Sequence, residues 1–157
     1  MNSKFENKWN LWYHSLKDDW TINGYKRIYT IENIKDYWKL YNNWDKLGTI
    51  NNKHFFIMMN DITPIWEDDN NINGACYSFK ISNKIICNIW KNISYNLVSE
   101  NLLNNNETII NGISISPKKY FCILKIWIKD KSYDNLKFKN DNIKNLPYIF
   151  KLNNENQ

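Results

Sequence analysis

The sequence predicts an α+β fold: an antiparallel sheet with helices covering one of its faces. Two observations carry this expectation. Segments with the two-residue alternation of strands follow one another in pairs, and between the pairs lie isolated stretches with helical spacing. The resulting order is β-β-α-β-β-α-β-β-α-β, in which consecutive strands can pair directly and the face without helices stays open for binding. At 157 residues the chain is long enough for one domain with a hydrophobic core, and no internal repeat or linker divides it.

Residues 1–7 read as a flexible arm and 153–157 as a flexible tail. Residues 8–14 alternate Trp9, Leu11 and Tyr13 against Asn10, Trp12 and His14, the period of a strand. Trp12 falls on the polar phase, and periodicity does not fix its side. A polar loop carrying Trp20 follows, then a second alternating strand over 25–31. At Asn33 the period changes. Asn33 suits a helix N-cap with Asp36 at the third position, and Ile34, Trp38 and Tyr41 form one stripe, flanked by Tyr37 and Trp44.

Beyond Gly48 comes an apolar strand, 54–59, then a loop over 62–69 that ends in the turn formers Asn70, Asn71, Asn73 and Gly74. Ala75, Tyr77, Phe79 and Ile81 alternate against Cys76, Ser78 and Lys80, a strand with one buried face. A helix fits 84–103, where Ile86, Trp90, Ile93 and Leu97 recur at helical spacing. Residues 109–116 and 120–128 read as a hairpin turning at Pro117-Lys118-Lys119. A third, weaker helix is expected over 133–145 and a last edge strand over 147–152.

Aromatic residues make up 16% of the chain, more than a core of this size needs. The excess of Asn and Ile reads as codon bias of an AT-rich genome rather than as chemistry. The formal charge of +5 is unevenly placed. From Lys118 onward nine lysines face only Asp130, Asp134, Asp141 and Glu155, so the positive excess lies in the last quarter. Concentrated positive charge suits an anionic partner such as phosphate, although a solvated lysine surface is the commoner explanation. Cys76, Cys87 and Cys122 are odd in number, lack C-x-x-C spacing and read as buried free thiols of a reducing compartment. With no apolar leader and no apolar run of membrane length, the expectation is a soluble, cytoplasmic, monomeric protein.

Catalytic equipment is missing. The four glycines are not clustered into a phosphate loop, His14 and His54 are isolated in sequence, and no paired Cys/His spacing or nucleophile elbow occurs. No cofactor or metal is expected. What remains is the equipment of a binder. In the loop Ile62-Thr63-Pro64-Ile65-Trp66-Glu67-Asp68-Asp69, the Trp66 indole offers a stacking face, and Glu67 can accept two hydrogen bonds from the donor edge of a ring such as guanine. Read without context, the same pair is better explained by packing beside a solvated charge. A base that is itself cationic would add a cation–π contribution of about 0.5–2 kcal/mol to stacking on indole.

A wider pattern surrounds that loop. Lys8-Trp9-Asn10-Leu11-Trp12-Tyr13, Trp20, Ile34-Lys35-Asp36-Tyr37-Trp38-Lys39-Leu40-Tyr41-Asn42, the 62–69 loop, Trp90 and Ile126-Trp127 resemble the eukaryotic translation initiation factor 4E family, which binds the messenger-RNA cap. The resemblance implies a curved antiparallel sheet backed by about three helices, with the cap held on the concave side. Trp20 and Trp66 then match the two indoles that sandwich 7-methylguanine, Glu67 the carboxylate that reads its N1–H and 2-amino edge, and Trp127 the tryptophan beside the methyl group. Lys118 stands where the family has an arginine for the cap phosphates. Lys119 and Lys125 are further candidates, Lys125 because it shares a strand face with Trp127, while Ile123 occupies the position of the family's second phosphate-binding lysine.

The resemblance also implies partners: capped messenger RNA, and a scaffold of the 4G type or a co-adapted equivalent. Ile34 and Trp38 match helix positions that receive the scaffold's tyrosine-leucine motif, with Lys91, Asn92 and Tyr95 facing them from the second helix. Lys91-Asn92 replaces a Leu-Glu pair, which weakens the usual contact. Tyr77 replaces a family tryptophan, the Trp20 loop is short, and beyond Asp130 the family's long cap-proximal loop has little counterpart. Two other readings are a cap-sequestering repressor without the scaffold contact and, from a different class, a Trp-rich carbohydrate-binding module.

Overall fold

A computed structural model describes residues 3–15, 17, 19–44, 53–103 and 109–155. Seven strands, β1 (Lys4–Ser15), β2 (Tyr25–Asn33), β3 (Lys53–Met59), β4 (Ala75–Ser82), β5 (Ile110–Pro117), β6 (Phe121–Ile128) and β7 (Ile149–Leu152), form one curved sheet in the order β2-β1-β3-β5-β6-β4-β7. Every strand pair is antiparallel. The α+β expectation holds, and each predicted strand is present within a few residues of its expected limits.

Two α-helices, α1 (Ile34–Asn42) and α2 (Ile86–Val98), cover one face. Helix α1 starts where the cap chemistry places it: the Asn33 side chain accepts from the Asp36 amide at 2.9 Å, and the Asp36 carboxylate accepts from the Glu32 amide at 3.0 Å. Its buried stripe is Tyr37 and Leu40 rather than the one expected through Trp38, which is 44% exposed. Tyr37 and Tyr41 turn inward because both hydroxyls find partners on α2, the Lys91 carbonyl and Ser94 Oγ. Helix α2 ends five residues before its expected limit. Asn101 N–H bonds to the Asn96 carbonyl at 2.7 Å and Glu100 N–H to that of Leu97 at 3.0 Å, with Glu100 at φ 55°, a Schellman stop without glycine.

Residues 133–145 form no helix. Phe138 bridges to Leu103, Lys139 N–H bonds to the Leu102 carbonyl, and Leu136 N–H bonds to the Tyr77 hydroxyl, so the stretch crosses the helix-side core in extended form and turns. Asn140 then folds the chain through bonds to Asn142, Ile143 and Lys144, the competition with helix that asparagine offers. The expected arm and tail are also tied down in part. Lys4 to Asn7 belong to β1, and Asn153–Glu155 is a 3-10 turn in which Asn153 is buried. Asn104-Asn105-Asn106, which read as a loop by composition, lie outside the described residues.

Alternation sorts the side chains. Trp9, Leu11, Phe55, Ile57, Ile113, Ile126 and Tyr77 join the helices in the main core. Phe56, Met58, Ile62, Cys76 and Trp127 form a smaller apolar cluster on the opposite face, and Trp12 packs against it. Cys87 is exposed on α2, against the expectation of three buried thiols, while Cys76 and Cys122 are buried. Among the described residues no helix is long and apolar enough to cross a membrane.

Candidate functional site

The open face carries a cleft of about 430 Å³. Its lining includes Trp20, Trp66, Glu67, Lys118, Lys125 and Trp127, six of the seven residues expected at the ligand. Lys119 is absent from the lining. It is exposed at the hairpin tip, with its Nζ 5.2 Å from the centre of the Tyr120 ring.

Trp20 is presented by the β1–β2 connection. The loop is folded around Asp19, whose carboxylate accepts from the Thr21 amide at 3.0 Å and the Thr21 hydroxyl at 2.5 Å. Its carbonyl takes a bond from His14 Nε2 at 2.5 Å. A carbonyl only accepts, so Nε2 of this fully buried ring is the donor. A Cβ at Gly24 would come 1.9 Å from the same carbonyl, so the close return of the chain requires glycine there. Against this support the Trp20 ring stacks on His14, yet it remains 53% exposed.

Trp66 and Glu67 stand on the β3–β4 loop, and here the asparagines are not mere bias. Asn71, fully buried, donates to the Thr63 and Ile65 carbonyls at 3.0 and 2.8 Å. Asn111, at a bulge in β5, donates to the Asn70 carbonyl and to Asn71 Oδ1 at 2.7 and 3.0 Å. Asn153 donates to the Asn71 carbonyl at 2.8 Å. Asp68 is a hub, accepting from Thr63 N and Oγ1 and from Asn70 N and Nδ2 at 2.6–3.0 Å. Burial works to raise the pKa of its carboxyl, but these four bonds outweigh it and hold the value below the ordinary one. Trp66 is half-buried and Glu67 exposed on this braced loop.

The floor is Trp127, 7% exposed, whose Nε1–H donates to Ser114 Oγ at 3.0 Å and whose ring meets Phe56 edge-on. Gly112, its partner across β5–β6, passes so close to β3 that a Cβ would lie 2.4 Å from the Ile57 carbonyl oxygen. The cationic side is Lys118, Lys125 and Lys151, with His54 beside them; sequence reading selected neither Lys151 nor His54. Burial, then the charges of His14, Lys118 and Lys125, push the His54 pKa down to about 4, so its ring is neutral at pH 7. Tyr25 lines the wall beside Glu67; burial first and that carboxylate second push its hydroxyl pKa up to about 12. The signal for His54 lay in register: β1 and β3 pair His14 with His54 directly.

A second groove, of about 520 Å³, lies between the helices on the other face. Trp38, Lys91, Asn92 and Tyr95 line it, with Lys91 Nζ 5.3 Å from the Trp38 ring centre. Ile34, expected there too, is half-buried at the start of α1 and does not line it.

Stacking faces, one carboxylate and cations converging on an open sheet face define a binding protein for a flat ligand with an anionic extension. The chain belongs to the eukaryotic initiation factor 4E family, whose model matches residues 4–156. It is 25% identical over 157 residues to the eukaryotic translation initiation factor 4E of Candida albicans, covering 94% of this chain and 73% of that one. Against the Dictyostelium discoideum factor the identity is 23% over 130 residues, with 79% and 51% covered. The chain thus spans between about half and three-quarters of these relatives. Among solved structures, Caenorhabditis elegans eIF4E-3 in complex with the 4E-binding protein Mextli and a cap analog superposes with a TM-score of 0.76 at 21% identity, covering 86% of this chain and 79% of that one. Ascaris suum eIF4E-3 with the m2,2,7G cap gives 0.74 at 21% identity, covering 86% and 78%. At these identities the likeness is one of fold.

Proposed function

We propose that the chain is a single non-enzymatic domain that binds the 7-methylguanosine cap of messenger RNA and recruits capped messages for translation initiation in the cytoplasm. The observation that carries this reading is the convergence of Trp20, Trp66, Glu67 and Trp127 on one cleft, from two loops and a strand far apart in sequence. In the proposed complex the cationic base stacks on the Trp20 and Trp66 indoles, and Glu67 accepts from N1–H and the 2-amino group. Lys118 and Lys125 hold the phosphates as point charges rather than through a bidentate arginine fork. The family membership and the cap-bound structural neighbours support the ligand; the geometry supports the residue roles.

The groove between α1 and α2 is the proposed seat of a tyrosine-leucine motif from a scaffold or a 4E-binding protein, with Trp38 as its anchor. Lys91 against Trp38 suits a partner that brings a carboxylate.

The deciding experiment is retention on 7-methyl-GTP resin. Elution by 7-methyl-GTP but not by GTP is expected. Equal elution by both would remove the cationic stack from the mechanism, and binding to glycans without nucleotide binding would favour a carbohydrate module.

A further inference from the structure

The cleft does not stop at Trp127 and Lys125. Beyond them the same face of β6 continues through Ile123 to Phe121, by the two-residue period of the strand. Register places Lys80 of β4 opposite Ile123, and Ser78 between Lys125 on one side and Ile149 of β7 on the other. Lys151, opposite Cys76, already lines the cleft. The result is a strip about 20 Å long running from the cleft to the hairpin tip.

Its chemistry is one-sided. Strands β4, β6 and β7 supply Lys80, Lys125 and Lys151 to this face and contain no Asp or Glu. The apolar side chains between the cations are exposed or half-exposed: Ile149 is 69% exposed, and the Phe121 ring lies under Lys80 with Nζ 4.3 Å from its centre. Cations alternating with separate flat or apolar surfaces match a chain that alternates phosphates with bases. A peptide partner would instead call for a continuous apolar anchor pocket.

We propose that this strip binds the single-stranded RNA that follows the cap, with Lys80 and Lys151 on its phosphates and Phe121 beneath a base. The proposal rests on the cap-binding reading for the polarity of the strand. It assigns to the sheet itself the contacts with the message body, which the connection between β6 and β7, crossing the helix-side core, is poorly placed to make.

The test compares a cap dinucleotide, a capped RNA of about five nucleotides and the same RNA uncapped, titrated against the wild-type chain and Lys80→Glu. The wild type should bind the capped RNA about three- to tenfold more tightly than the dinucleotide, and the variant should lose that gain while binding the dinucleotide unchanged. The slope of log affinity against log salt for the capped RNA should fall by about 0.7 in the variant. Lys80→Arg should keep the gain. Equal wild-type affinities for dinucleotide and capped RNA overturn the proposal, as does a variant that loses both in equal measure. Should the chain fail to distinguish cap from GTP, the cap reading falls separately. Salt-sensitive binding of uncapped RNA that Lys80→Glu removes would then still support the strip, and its absence would overturn it.

Discussion

The imidazole of His14 lies flat beneath the indole of Trp20, with ring centroids 3.8 Å apart and planes 14° from parallel. One face of an exposed tryptophan is thereby braced by a fully buried residue of β1, which fixes the ring while the other face is offered to a ligand. His14→Ala removes that brace and the bond to the Asp19 carbonyl. Affinity for 7-methyl-GTP, read by quenching of tryptophan fluorescence, should fall about three- to tenfold, the worth of one aromatic pair. His14→Phe should recover much of the loss, since it restores the stack without the hydrogen bond.

Glu67 is exposed on its loop, so its removal tests recognition rather than folding. Glu67→Gln should weaken 7-methyl-GTP binding at least about tenfold, because a donor amide meets a donor edge, while the melting temperature stays within about 2 °C. Trp66→Ala should likewise abolish retention on the resin. A large drop in melting temperature in either variant would make the residue structural instead.

Asn71→Ala should do both kinds of damage. It strips the Thr63 and Ile65 carbonyls of their donor and leaves the Asn111 amide short of an acceptor. A cost of about 2–4 kcal/mol is expected, a fall of roughly 4–12 °C in melting temperature, with loss of cap affinity because the Trp66 loop is no longer held.

The pKa of His54 lies near 4 in the folded chain, against an ordinary value of 6.5. Above pH 6.5 both folded and unfolded forms are neutral at this site, and it adds no pH dependence. Between pH 6.5 and 4 the unfolded form takes up a proton that the folded form refuses, so stability falls as pH falls. Below pH 4 both forms are charged and the slope disappears. Urea denaturation across this range should show a shallower pH dependence for His54→Gln than for the wild type, and the His54 ring resonance should titrate near pH 4.

At the helical groove, Lys91→Leu should strengthen binding of a tyrosine-leucine motif peptide about three- to tenfold, since it replaces a charge beside Trp38 with the packing surface usual in the family. Trp38→Ala should abolish that binding without changing the affinity for 7-methyl-GTP. Calorimetry with the peptide checks both.

Trp20, Trp66 and Glu67 line the cleft where the family resemblance implied a ligand, although residue type alone favoured packing for Trp66 and a solvated charge for Glu67. What alternation could not show was pairing. His54 and Lys151 enter the cleft only through the partners of β1 and β4, and strand register is a relation between distant segments. The missing third helix has the same origin. Leu136 and Phe138 alternate like a strand, and the Tyr77 hydroxyl and the Leu102 carbonyl draw the stretch onto the core more strongly than its weak helical spacing holds it. Periodicity alone put Trp38 on the same stripe as Ile34 and Tyr41, because a hydrophobic stripe does not say which of its members faces a groove. The asparagines were hardest to read. An Asn chosen by codon bias and one that donates to two buried carbonyls look alike until the loop around them is closed.

That closure has a temporal side. The bond from Asn153 to the Asn71 carbonyl spans 82 positions of sequence, and it joins the segment carrying Trp66 to a turn made much later in synthesis. Long-range contacts of this kind form late. On the ribosome, a nascent chain long enough to have folded β1 through β3 would still lack β5, Asn111 and residue 153. Trp127, on β6, would be missing as well, and the Trp66 loop would lack the bonds from Asn111 and Asn153. The loop that carries Trp66 is thus braced by two asparagines, Asn111 and Asn153, that are synthesised well after it.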